Sequence, residues 1–196
     1  MDASIPLLDP SARRELLVLA RTTLKSYLST GRVTEYHTSR SELRARCAVF
    51  VSLHRGEELR GCIGQVTPDR ELYWTVQRCA ISAATEDPRF APVPEDELPH
   101  LTIEISVLTP FQRVREIERI EVGKHGLWIV SGGRRGLLLP QVATSYRWDR
   151  ETFLAQTCRK AGLPEDAWRD PGTAIHTFEA QVFSEEALPG SADSQN

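Results

Sequence analysis

The chain has 196 residues, 40% of them hydrophobic and 26% charged, the balance of a soluble globular protein with enough length to bury a sizeable core. Its net charge of −3, from 24 basic and 27 acidic residues spread along the chain, supplies no broad positive field for nucleic acid or a membrane surface. No apolar run approaches the roughly 18 residues that span a bilayer, and MDASIPLLDP lacks the basic start and apolar stretch of a secretory leader, so a cytoplasmic protein is expected.

The basic residues divide into 21 Arg and 3 Lys with no cluster of more than a few. Cys47, Cys62, Cys79 and Cys158 form no CxxC pair, so neither a disulfide framework nor a zinc knuckle is indicated and no metal site is expected.

Asp9 and Pro10 open a helix over about 11–30, with Leu17, Ala20, Leu24, Tyr27 and Leu28 at helical spacing until Gly31. The next fifteen residues are polar and read as a surface connection. The apolar run Cys47 to Leu53 is a strand, Arg55 to Glu58 a turn, and LRGCIG a second strand that loosens at its glycines, giving a hairpin. Thr67, Pro68 and Asp69 start a second helix, which runs to about 85 with Leu72, Val76, Cys79, Ala80 and Ala83 on one face. The segment EDPRFAPVPEDELP holds four prolines in fourteen residues, which predicts an ordered loop without regular structure.

Leu101, Ile103, Ile105 and Val107 alternate with Thr102, Glu104 and Ser106 in a half-buried strand that puts Glu104 on its second face. Gly126 to Val130 and Gly136 to Leu139 flank SGGRR as another hairpin, Pro140 opens a short helix through Tyr146, and Asp149 caps a third main helix that stops at Gly162. Residues 175 to 183 alternate again, with Phe178, Ala180 and Val182 inward. The short connections make the strands mostly antiparallel, so the class is α+β: an antiparallel sheet flanked by helices, in a single domain over 1–185 followed by a disordered tail over 186–196.

Three positions carry candidate chemistry. Cys62 sits between glycines at a strand end shortly before a helix start, where backbone N–H groups cradle an anion and a helix N-terminus raises the thiolate fraction; the alternative is a small buried side chain in a tight turn. His125, between Lys124 and Gly126 at the mouth of a strand, is either a general base or a surface hydrogen-bonding residue. Glu104 faces either solvent or a cleft. No HExxH, GxSxG, Walker A or Rossmann fingerprint is present.

LRGCIG at 59–64, DPRFAPV at 87–93, IEISVL at 103–108, VGKHGL at 122–127, LLLPQVA at 137–143 and WDRETFLAQTCRKAGL at 148–163 form an ordered set spanning about 48–183. In this set the chain resembles the AMMECR family of the AmmeMemoRadiSam system. The resemblance implies a larger and a smaller lobe, with LRGCIG lining a cleft, and a genomic association with a Memo-like, dioxygenase-related protein and a radical S-adenosylmethionine enzyme. This chain has no CxxxCxxC cluster motif, so the radical chemistry would belong to the partner.

Two function classes remain. In one, an enzyme or enzyme subunit uses Cys62 as nucleophile or acceptor thiol, His125 as base and Glu104 as orienting carboxylate. In the other, a non-catalytic adaptor binds protein, RNA or a small anion, with RGCIG as a ligand-cradling turn. Arg60, Gly61, Gly64, Arg89 and Gln141 are the expected ligand-binding positions. The acidic net charge disfavours nucleic acid, and the residues name neither a cofactor, a substrate nor an oligomeric state.

Overall fold

A computed structural model describes residues 8–186. The helix α1 spans Pro10–Thr30 and starts where its sequence directs: the Asp9 side chain accepts the Ala12 N–H at 2.7 Å, and Gly31 closes the helix in the left-handed region at φ 71°. The polar connection that follows holds one helical turn, α2, over Ser41–Arg44. The strands β1 (Ala48–Arg55) and β2 (Glu58–Gln65) form an antiparallel hairpin, and α3 covers Leu72–Thr85. Then come β3 (Thr102–Leu108), β4 (Gln112–Val114), β5 (Gly126–Ser131), β6 (Arg134–Leu138), α4 (Pro140–Ser145), α5 (Arg150–Lys160), β7 (Ala174–Phe178) and β8 (Ala180–Ser184).

Two four-stranded sheets result, in the orders β2-β1-β3-β8 and β4-β7-β5-β6, and the chain divides into two compact units. The fold is α+β with antiparallel pairing. Among the described residues the larger unit, 8–107 and 181–186, holds the first sheet with α1 and α3; the smaller, 108–180, holds the second with α4 and α5.

In the larger unit Leu16, Leu17, Ala20 and Leu24 of α1 and Val76, Cys79, Ala80 and Ala83 of α3 share one core with Val49, Val51 and Leu53 of β1 and Ile103, Ile105 and Val107 of β3. Each fully buried Leu or Ile there contributes about 1.5–3 kcal/mol of transfer free energy. One face of the sheet therefore carries the helices. By the two-residue period of a strand, the second face carries Phe50, Ser52, His54, Thr102, Glu104 and Ser106. In the smaller unit Leu127, Ile129 and Ile175 pack with Ala143, Phe153, Leu154 and Cys158.

Four expectations are corrected. The second helix begins at Leu72 rather than at Thr67, because the Asp69 carboxylate is engaged by Gln65 and the Leu72 N–H by the Ala45 carbonyl at 2.8 Å. The proline-rich segment ends in a 3₁₀ helix over Glu95–His100, with Pro99 near its end. The strand expected over 175–183 is two strands, one in each sheet, divided at Glu179; the alternation resets there, leaving Val182 37% exposed and Phe183 buried. LRGCIG does not loosen into a turn: β2 runs through it, with a bulge where Leu53 faces Gly61 and His54 faces Leu59, so that Arg60 is the extra residue. The expected disordered tail lies outside the described residues from 187 onward.

Candidate functional site

The glycines beside Cys62 are explained by packing. A Cβ at Gly61 would stand 2.1 Å from the Ala83 carbonyl oxygen of α3, and one at Gly64 would stand 2.2 Å from the Phe50 ring. Neither has positive φ. The glycines thus let a helix and an aromatic ring lie against the strand on either side of Cys62, where the sequence suggested an anion-cradling turn.

Cys62 itself is half-buried on the edge strand, opposite Ser52, whose hydroxyl donates to Sγ at 3.2 Å. Its backbone is held by the DPRF loop. The Cys62 N–H donates to Asp87 Oδ2 at 2.8 Å, and Arg89 Nη2 donates to the Cys62 carbonyl at 3.3 Å. Asp87 and Arg89 also join each other, through Nε to Oδ1 at 2.9 Å and Nη2 to Oδ2 at 2.7 Å. Two side chains thereby satisfy the edge as a neighbouring strand would. The Asp87 side chain is 2% exposed, and the Arg89 guanidinium, with the Cys62 and Arg89 N–H groups, holds its carboxyl far below the usual carboxylate range.

The other three cysteines are buried. Burial pushes the Cys47 thiol up to about 11 and the Cys79 thiol up to about 12, and it raises Cys158 as well. Cys62 is the cysteine that combines partial exposure with a polar sheet face.

Glu104 shares that face, on β3. Burial raises its carboxyl, and the nearby His54 partly counters the rise. His54 stands on β1, between Cys62's strand and Glu104's, and its Nε2 is buried without a hydrogen-bond partner. The structure thus brings Cys62, Ser52, His54 and Glu104 onto one sheet face. His125 belongs to the other unit, where its Nδ1 accepts the Glu121 N–H at 3.0 Å within a local turn.

Of the expected ligand-binding positions, Arg60 and Arg89 are engaged within the larger unit. Arg60 donates to both Glu97 carboxylate oxygens, at 2.9 and 3.1 Å, and to the Ala91 carbonyl at 2.8 Å. Arg89 is committed to Asp87, and Gln141 lies half-buried on α4 in the smaller unit. Sequence reasoning missed Ser52, His54 and Asp87. The signal for the first two is their outward alternation on the strand paired with LRGCIG; Asp87 shows locally only its proximity to Arg89, because Cys62, whose N–H it accepts, lies 25 positions away. Among the described residues no group of three or more His, Cys, Asp or Glu is placed to hold a metal ion, and no helix is long and apolar enough to cross a membrane.

A sequence model of the AMMECR1 family matches residues 17–183, a span that includes every site residue above. The chain belongs to the AMMECR1 family. A relative from Thermococcus gammatolerans is 45% identical over 182 residues, covering 87% of this chain and 89% of its own length. One from Methanopyrus kandleri is 43% identical over 184 residues, covering 89% of each. The crystal structure of an uncharacterised protein from Pyrococcus horikoshii superposes with a TM-score of 0.84 at 42% identity, covering 89% of this chain and 91% of that one.

Proposed function

We propose that the protein works through a thiol site centred on Cys62, as an enzyme or enzyme subunit in which Cys62 is the nucleophile or acceptor thiol. The observation that carries this reading is the pairing of a half-exposed cysteine, clamped at both backbone ends, with a hydroxyl donor on its sulfur. A thiolate gains from such a donor, and a clamped backbone keeps the sulfur in one position relative to an incoming electrophile. His54 takes the proton-handling role that the sequence reading gives to His125, because it shares the sheet face, and the Glu104 carboxylate interacts with it electrostatically. Mass-mapped iodoacetamide labelling of the native chain tests this: Cys62 labels first, and earlier labelling of Cys47, Cys79 or Cys158 refutes it.

A binding module is the second reading, and one observation favours it: Asp87 occupies the Cys62 N–H, so that group is not open to an oxyanion. Turnover-free capture of electrophilic probes at Cys62 would select this reading.

The family match across both units supports treating them as one AMMECR-type module. The sequence resemblance supports a working association with a Memo-like protein and a radical S-adenosylmethionine enzyme, to which this chain brings a thiol and the partner the cluster. Co-elution of the purified proteins checks it. Cysteines that form no disulfide suit a cytoplasmic setting.

A further inference from the structure

The edge strand β4 of the smaller unit borders a pocket of about 400 Å³ lined by Gln112, Arg113, Val114, Arg115, Glu116, Arg119, His125 and Thr177. Three arginines and one carboxylate give this lining a net charge of +2, on a chain whose net charge is −3. Arg119 is held by Glu116, Nε to Oε2 at 2.8 Å. The Arg113 and Arg115 side chains have no hydrogen-bond or ion-pair partner among the described residues, whereas those of Arg21, Arg40, Arg60 and Arg89 are all paired. Two exposed arginines in one pocket lining, neither with a side-chain partner, leave guanidinium donors that an anion would satisfy.

His125 adds a directed donor. Because its Nδ1 accepts the Glu121 N–H, the neutral ring carries its proton on Nε2. The turn over Glu121–His125 that holds this ring in place contains Gly123 at φ 90°, a conformation suited to glycine. The pocket therefore offers guanidinium forks from β4 and the segment after it, and an imidazole N–H from the start of β5.

We propose that this pocket binds a phosphate-bearing small molecule. A carboxylate offers two oxygens and one charge, whereas a phosphoryl group offers three acceptor oxygens and close to two charges, which matches the donors and the net charge of the lining. The volume lies in the range of small-molecule sites. The proposal is independent of the Cys62 reading, since every lining residue lies in the smaller unit.

Isothermal titration calorimetry of the full chain with inorganic phosphate, pyrophosphate and citrate tests it. Pyrophosphate is expected to bind, and the Arg113→Ala/Arg115→Ala double variant to lose about tenfold in affinity. Arg135→Ala, which removes an exposed charge near the opposite edge of the same sheet, should bind as the wild type does. Glu116→Gln should bind several-fold more tightly, because it removes the one opposing charge and releases Arg119. Arg115→Ala alone, lying outside the strand, serves should the double variant fail to fold. Absence of binding by both phosphate probes, an equal loss in Arg135→Ala, or tighter binding of citrate than of pyrophosphate would overturn the proposal.

Discussion

Replacing Gly61 by alanine puts a methyl group into the contact between β2 and α3. The added carbon would lie 2.1 Å from the Ala83 carbonyl oxygen and 3.1 Å from its carbon, both backbone atoms. No rotamer relieves this contact, so the helix must retreat by about 1 Å, loosening the packing of Val76, Cys79, Ala80 and Ala83 on the sheet. Overpacking a well-filled core costs about 1–3 kcal/mol, and the upper end applies because the neighbour is backbone. At about 3 kcal/mol, a chain of this size loses roughly 6–12 °C in Tm. Gly64→Ala is the internal control. Its clash is with the Phe50 ring, a half-buried side chain that is able to swing outward, so the cost should be about 1 kcal/mol or less. Urea unfolding followed by circular dichroism measures both, with m compared to confirm that the unfolded states match. Gly61→Ala with the wild-type midpoint, or Gly64→Ala as the more damaging change, would refute the packing argument.

Asp87→Asn should destabilise the chain by about 2 kcal/mol at neutral pH, since it weakens charged hydrogen bonds around a buried group. Because the folded carboxyl is held below its unfolded value of about 3.9, its contribution is full above that pH and is lost as the solution is acidified further; urea midpoints of the wild type should therefore fall below about pH 4 more steeply than those of the variant. Glu104 has the opposite sign. Its raised carboxyl costs stability as pH rises from its unfolded value of about 4.3 through its folded one, so Glu104→Gln should be more stable than the wild type at pH 7 and equal to it in acid; a variant less stable at both would contradict the burial argument. Arg147 holds φ 53° just after α4, so Arg147→Gly should gain about 0.5 kcal/mol, the left-handed strain of roughly 1–2 kcal/mol less the entropy of glycine, read as a higher thermal midpoint.

Local chemistry made the helix ends at Asp9, Gly31 and Asp149 readable, because each is satisfied within a few residues: Asp149 accepts the Thr152 N–H at 2.8 Å as its position suggests. The alternation of β3 was equally legible and put Glu104 on the correct face. The glycines of LRGCIG signal a turn locally, whereas their cause is the approach of α3 at Gly61 and of the Phe50 ring at Gly64, set by packing on the two faces of the strand. The reset at Glu179 follows from the chain changing sheets, which no two-residue period announces. Of the candidate site, Cys62 and Glu104 could be read as outward-facing positions. His54 acts on Glu104 of β3 and Asp87 on Cys62 of β2, so their roles at the site emerge with the tertiary structure.

The pH–rate profile of iodoacetamide alkylation at Cys62 tests the thiol-site account most directly, measured in the wild type and in Ser52→Ala, His54→Asn, Glu104→Gln and His125→Ala. The account predicts that the Ser52, His54 and Glu104 variants displace the profile while His125→Ala superimposes on the wild type. Superimposable profiles in all five proteins, or a displacement confined to His125→Ala, would contradict it.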